Sequence, residues 1–368
     1  MLRVDAAERD RANRPPTREL AALRKTCLLT VDPDDHVTTH AVVRTVSAAD
    51  PSLGHLLGYH YLHLWRAKLF ANTALAAGMR AGTAEHGWFW GGVGNQGDAL
   101  RATPTARGYS ISGTRTFATG ASVADRLVVH VTRDDGGERF AAVVRADAPG
   151  LTHPPDWDNV GQRLSASGSV VFDEVGIDHA AVLGPLPAGE DDPRLLRLSL
   201  SALSFQSVLT QVLVGIAEGA LAEAAAYTGT HTRAWPSSGV DRAVRDPYVL
   251  AGYGELVAAT RAAVLLAERA AVAFQHADDQ GAALTPAQRG AAGVAISEAK
   301  VVATRTVLDT TSRVFEHLGA RATATRHGFD RFWRNARTLT LHDPVVYKAR
   351  EVGAHFLTGD LPPLTSYS

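Results

Sequence analysis

The sequence predicts an α+β fold in three stretches: helices, then a β-region, then a helical bundle. Three observations carry this. Apolar residues recur at helical spacing in Leu20-Ala21-Ala22-Leu23 and again from His55 to Met79. From about residue 86 to 185 the texture changes to short alternating runs punctuated by glycine and proline. From about residue 195 long helical patterns return. We divide the chain accordingly at 1–85, 86–190 and 191–368.

Within the β-region, Gly108–Gly113 and Arg126–Val131 alternate apolar and polar residues. Asp135-Gly136-Gly137 is a hairpin turn signal and leads into Phe140–Val144, while Ser169–Asp173 is a further strand candidate. These runs predict an antiparallel sheet. In the last stretch the best helices are Leu209–Tyr227, Pro247–Gln275, Pro286–Gly319 and Asp343–Leu357. Helices of this length joined by short Gly/Pro breaks read as a bundle.

Composition narrows the function class. The chain has 368 residues, 45% hydrophobic and 20% charged, with a net charge of −1. Nothing resembles the basic stripe of a nucleic-acid binder or the polybasic flank of a membrane-surface protein. Cys27 is the single cysteine, so no disulfide framework or Cys-rich metal site forms within one chain. Met1–Pro16 is charged and lacks the apolar core of a signal peptide, and no run of uncharged apolar residues long enough to span a bilayer is expected. The expected location is the cytoplasm.

The densest cluster of chemistry is Arg334–Pro344, which puts two arginines, Asn335 and His342 near one helix end. Asp343-Pro344 marks that end, because the residue before proline is pushed out of the α region. An imidazole there is a poor structural filler and a good proton donor or acceptor. His55 and Tyr59 are four apart, so a helix places them on one face. Thr119-Gly120 and Ser167-Gly168 read as turns by composition. Trp157 is either a core ring of the β-region or a pocket wall. Arg233 and Arg321 follow predicted helices; a guanidinium there either binds phosphate or lies exposed. The aromatic set Tyr59, Tyr61, Trp65, Phe70, Trp88, Phe89 and Trp90 either lines a pocket or forms core.

Several segments in order carry a family resemblance: Ser52–His60, Phe117–Ala121, Trp157–Arg163, Ser165–Gly168, Arg233–Pro236, Gly319–Thr323, and Phe329–Asn335 leading into the His342 motif. Together they resemble the acyl-CoA dehydrogenase superfamily, in its reduced-flavin-dependent, dibenzothiophene monooxygenase-like branch. The resemblance implies an N-terminal helical domain, a central antiparallel β-domain covering the flavin, and a C-terminal four-helix bundle. It implies a two-component monooxygenase that takes FMNH2 (or FADH2) from a separate reductase and uses O2 through a C4a-(hydro)peroxyflavin. The substrate would be a small apolar or aromatic molecule oxygenated at S, N or C, and the assembly a homotetramer.

By the same resemblance, His55, Tyr59 and His342 are the catalytic residues. Thr119, Trp157, Ser167, Arg233 and Arg321 bind the cofactor, with Arg321 reaching the flavin phosphate of a neighbouring subunit. No metal is implied. His60 and His63 line the pocket or the surface.

The chain departs from the pattern in its short region before residue 40 and at Gly92, where a relative carries a flavin-contacting asparagine that Asn95 would replace. Two other readings are an acyl-CoA dehydrogenase, which needs a carboxylate base, and a non-catalytic relative. The dehydrogenase reading is weakened because Asp343 reads as a helix-start residue, leaving Glu218 and Glu255 on earlier helices.

Overall fold

In the computed structural model, which describes residues 2–94 and 100–368, helices precede and follow a single sheet. The first stretch holds α1 (Ala6–Ala12), α2 (Thr17–Leu23), α3 (His36–Ala49), α4 (Pro51–Arg66) and α5 (Thr73–His86). The helical pattern expected to run unbroken from His55 to Met79 is interrupted after Arg66. Asn72 accepts a bond from the Leu75 amide at 3.0 Å and starts α5 as its cap.

Helix starts follow a repeated local rule. Asp50, Asp246 and Thr285 each cap a helix whose first residue is proline: Pro51, Pro247 and Pro286. The proline costs no hydrogen bond at that position, and the side-chain oxygen satisfies an orphan amide.

The sheet comprises β1 (Trp90–Val93), β2 (Leu100–Pro104), β3 (Gly108–Arg115), β4 (Arg126–Arg133), β5 (Arg139–Arg145), β6 (Leu151–Thr152), β7 (Val170–Asp178) and β8 (Val182–Pro185). Its order is β6-β7-β3-β2-β4-β5-β8. The Asp135–Gly137 turn does join an antiparallel β4–β5 pair. The sheet is not purely antiparallel, however: β1 and β2 follow one another along the same edge of β4, both parallel to it. Strands contributed from both sides of residues 95–99 produce this, and no alternating pattern in the sequence signals it.

The last stretch holds α6 (Leu195–Leu198), α7 (Leu200–Thr230), α8 (Pro247–Asp279), α9 (Pro286–Leu318), α10 (Asp330–Leu339) and α11 (Val345–Thr358). Helices α7, α8 and α9 pack on one another, α11 lies on α9, and α3 from the first stretch joins them along α7. By length and composition α7 (with α6) and α8 could cross a membrane, contrary to the sequence expectation. Residues Leu198–Ala217 carry no charge. Burial explains this for α7, which is apolar on all sides because α3, α4, α8 and α9 surround it.

Helix α4 is the hub. All 16 of its residues are buried, with α7 on one side and β1 on another. Gly58 allows the α4–α7 approach, since a β-carbon there would lie 2.5 Å from Val208 Cγ1. Leu53, Leu56 and Leu57 are at most 1% exposed. Each contributes about 1.5–3 kcal/mol of burial free energy as an upper estimate.

Most of the aromatic set is core rather than pocket. Phe89 stacks on His60 at 5.1 Å, Trp65 donates to Asp278 at 2.8 Å, and Trp90 donates to Thr83 at 2.8 Å. Only Tyr59 of that set faces the cluster described next.

Candidate active site

One face of α4 presents His55, Tyr59 and His63, spaced one helical turn apart. The His55 and Tyr59 rings meet edge-on at 4.4 Å, and Tyr59 packs against Phe205 of α7 at 5.0 Å. The tautomer of His55 follows from its partners. Gln162 donates its side-chain amide to Asn335 Oδ1 at 3.1 Å, so its Oε1 is the atom 3.1 Å from His55 Nδ1. His55 Nδ1 therefore carries the hydrogen and donates it. His55 Nε2 is left as a buried acceptor with no partner. Burial pushes this imidazole down to about 4, helped by the charges of His342 and Lys300 and opposed by the Gln162 bond. His55 is thus a neutral ring with an unpaired, buried Nε2 lone pair, an acceptor rather than a proton donor.

Gln162 is the junction of the site. Its backbone N–H donates to Asn335 Oδ1 at 2.7 Å, and Asn335 in turn donates to the Arg331 carbonyl at 2.8 Å. The Gln162 carbonyl accepts from Trp157 Nε1 and from Ser165 Oγ, both at 2.8 Å. From Ser165 a hydroxyl chain runs to Ser167 Oγ at 2.7 Å and on to Thr119 Oγ1 at 3.1 Å. Ser167 and Thr119 are both buried. Since Thr119 Oγ1 accepts from Ser167, its own O–H is available to donate outward.

Three non-glycine residues of these loops, Phe117 (φ 53°), Gln162 (φ 55°) and Ala166 (φ 47°), hold left-handed backbone. Such strain persists only where surrounding contacts enforce it, and it concentrates at functional sites. Phe117 is 65% exposed, with its ring edge-on to Trp157 at 5.9 Å. These loops thus place two aromatic rings, edge-on to each other, beside a buried hydroxyl chain.

His342 lies exposed in the turn after α10, near enough to His55 for its charge to lower that ring's pKa, and its own ring meets Tyr367 at 6.4 Å. Its Nδ1 lies 3.1 Å from Asp343 Oδ1, and Asp343 Oδ1 lies 3.8 Å from Lys300 Nζ of α9. Asp343 is not the helix-start residue expected: α11 begins with no side-chain cap, and the carboxylate turns inward. Although burial alone would raise its pKa, the Asp343 carboxyl is held well below its usual range by the His342 bond and the Lys300 charge, with Gln206 adding to them.

The structure thus brings together His55, Tyr59, Thr119, Trp157, Ser167 and His342. It does not bring Arg233 or Arg321 to them. Those two lie beyond the far ends of α7 and α9, which are tied by a Thr232 Oγ1 bond to the Leu318 carbonyl at 3.1 Å. The 18 residues from Lys300 to Leu318 put that end about 27 Å along the helix axis from the imidazoles. Arg233, Trp235 and Arg242 line a surface cavity of about 490 Å³ there.

Glu218 and Glu255 do not reach the site. Glu218 pairs with Arg44 at 3.6 Å, and Glu255 with Arg313 at 2.8 Å on the surface. Among the described residues no group of three or more His, Cys, Asp or Glu side chains is placed to hold a metal.

Gly92 has a structural partner that sequence reasoning did not find. A β-carbon at Gly92 would lie 2.2 Å from His63 Nε2, so the His63 ring occupies the space a side chain at 92 would need. His63 is 2% exposed, and neither ring nitrogen has a partner. Asn95, the expected substitute, lies outside the described residues.

Gln162, Asn335, Ser165 and Lys300 were given no role from sequence. The first three stand inside the segments that carry the resemblance. Lys300, an isolated cation in an apolar helical pattern, was the only local signal for itself.

Comparison with known proteins bears on this geometry. Residues 207–346 match the family described as acyl-CoA dehydrogenase, C-terminal domain. Dibenzothiophene monooxygenase of Rhodococcus erythropolis is 39% identical, over 98% of this chain and 91% of its own length. The chain belongs to the dibenzothiophene monooxygenase family. Its members here include a probable FMNH2-dependent monooxygenase, SfnC of Pseudomonas putida, 37% identical over 99% of this chain and 93% of its own. The crystal structure of TdsC from Paenibacillus sp. A11-2 with FMN and indole superposes with a TM-score of 0.92 at 39% identity, covering 100% of this chain and 97% of that one. The family's flavin-dependent oxygenation is the chemistry against which the imidazole and hydroxyl groups above are read.

Proposed function

We propose that this protein is a two-component monooxygenase that binds FMNH2 between the Thr119–Ser167 loops and the His55–His342 face. The observation that carries this is the Gln162 junction. One side chain and its backbone lock the catalytic-face imidazole, the hydroxyl chain and the Trp157 wall into a single hydrogen-bonded unit. Reduced flavin, when bound, supplies the activation of O2 and the transfer of one oxygen atom to the substrate. The chain's own residues bind, orient and exclude water. Thr119 and Ser167 would hold a polar edge of the cofactor through their hydroxyls, and Trp157 with Phe117 would shield it. His55 Nε2 accepts a hydrogen bond, Tyr59 O–H donates one, and His342 moves a proton. Burial raises the Tyr59 phenol further above its ordinary value, so it acts as a donor and not as a base.

A small apolar or aromatic substrate oxygenated at S, N or C fits the family, and FMN fits better than FAD. A separate reductase would supply the reduced flavin transiently. We place the enzyme in the cytoplasm, where the single unpaired Cys27 is at home.

We also infer a homotetramer, in the three-part organisation 1–85, 86–190 and 191–368 with a C-terminal four-helix bundle. Support comes from apolar surface left uncovered on one chain. Leu250 and Leu265 of α8 and Val346, Tyr347, Phe356 and Leu357 of α11 are each more than half exposed. In such an assembly Arg233 and Arg321 would serve the flavin phosphate of a neighbouring copy. The test is aerobic incubation of the purified protein with chemically reduced FMN and dibenzothiophene or indole. Oxygenated product without any reductase present is expected; flavin reoxidation with no product from either probe would refute the reading.

A further inference from the structure

We propose that Asp343 and Lys300 are positioning residues that fix His342 as a ring protonated at Nδ1, so that Nε2 is the atom that gains and loses the transferred proton. Three observations carry this. First, the Asp343 carboxylate accepts and cannot donate while ionised, so the ring nitrogen 3.1 Å from Oδ1 must carry hydrogen. His342 then keeps its Nδ1 hydrogen in both charge states, and only Nε2 changes. Second, Asp343 is free for this task. The proline after it keeps it out of the helix, and its side chain does not cap α11 but is buried, 7% exposed for the residue. Third, Lys300 is 1% exposed, and its Nζ makes no hydrogen bond.

A buried ammonium is costly unless something compensates it. At 3.8 Å from Asp343 the pair is too long for a hydrogen bond and is a poor source of stability. Its effect is electrostatic: burial lowers the Lys300 ammonium and the Asp343 carboxylate opposes that, while the Lys300 charge in turn helps keep the carboxylate ionised. Neither group touches the place where the reacting atoms would be, so both act through His342. The arrangement parallels that of His55, whose Nδ1 hydrogen is held by Gln162, again leaving Nε2 toward the site. Two imidazoles thus present the same ring atom, one held by a neutral amide and one by a carboxylate.

The catalytic consequence rests on the proposed oxygenation, whereas the tautomer does not, and the test separates them. With 15N-labelled histidine in the full-length protein, the His342 resonances are identified by their loss in H342Q. In the wild type Nδ1 should show the protonated, pyrrole-type shift at neutral pH. A neutral ring protonated at Nε2 would overturn the proposal whatever the enzyme's activity.

In D343N the new amide can donate to Nδ1 and reverse the tautomer. The expected result is a fall in kcat of about 10²-fold or more, with FMN affinity and KM within about threefold. K300M should keep the tautomer and lower kcat about tenfold. If D343N does not fold, the wild-type spectrum and K300M still decide. Wild-type kcat and an unchanged His342 spectrum in either soluble variant would show that the pair is merely structural. A wild-type spectrum as expected, with no oxygenation of any probe, would leave the positioning intact and remove the oxygenase reading.

Discussion

The two ends of the helical bundle differ in kind. At one end, His55, Gln162, Asn335, Ser165, Ser167 and Thr119 are buried and joined by hydrogen bonds. At the other, Arg233 and Arg321 are exposed, Arg233 lining an open cavity with Trp235, itself 71% exposed. At the first end the polar groups position one another within one chain. The second presents its cations on the surface. The contrast teaches that buried amides, hydroxyls and imidazoles organise one another within a chain, while the arginines at the far end are displayed outward; under the proposed function the first would be the chemical half of a flavin site and the second its anion-binding half.

The sharpest way to break this comparison is at His342. H342Q should lower kcat by about 10²–10⁴-fold, the usual range for a positioned acid–base group, while FMN binding measured by fluorescence quenching stays within about threefold.

Next in size is acid sensitivity, which should belong to the buried end. Burial lowers His40 to about 3 and His55 and His60 to about 4, and holds His63 well below its ordinary value. Unfolded histidines take up protons near pH 6.5, whereas these folded ones resist until far lower. The unfolded state therefore binds more protons between about pH 6.5 and 4, and stability is full above that window and lost as pH falls through it. The melting temperature should fall across this range. A flat profile would show that these rings are not buried neutral.

At the exposed end, R321A should weaken FMN binding by about 1.5–3 kcal/mol, the range for a charge-assisted bond. Mixing R321A chains with H342Q chains should restore activity above either alone, because a hybrid contains sites with one intact contribution from each copy. No recovery in a verified hybrid would show that the arginine acts within its own chain or not at all. The smallest effect is W235A, which should change stability by no more than about 0.5 kcal/mol in a urea melt, as expected for a side chain with little around it.

The order of elements was legible because each local signal agreed with its surroundings. The prolines at 247 and 286 marked the starts of α8 and α9, and Asp135-Gly136-Gly137 the β4–β5 hairpin, whereas the start of α4 at Pro51, capped by Asp50, was not read. Three features were not. The parallel pairing of β1 and β2 with β4 depends on tertiary placement of short strands, for which periodicity carries no information. The break after Arg66 was hidden because apolar spacing continues through it. The charge-free run in α7 reflects burial on every side and so lacks a polar face.

At the site, side chains with strong chemical identity, such as His55, Tyr59 and His342, could be singled out. Gln162 and Asn335 could not, because an amide acquires its role only from the groups folding places at both its ends. Asp343 was misread for a related reason: before Pro344 it has the form of a cap, and only the proximity of Lys300, 43 positions earlier in sequence, reveals its partner.

A crystal structure of the FMN complex tests the central claim most directly. The expected result places the isoalloxazine within about 3.5 Å of the Thr119 or Ser167 hydroxyl and of the His342 ring of one chain, with the phosphate on Arg321 of a second copy. A flavin bound away from the Gln162 junction, or a ring held with no imidazole beside it, would contradict the account.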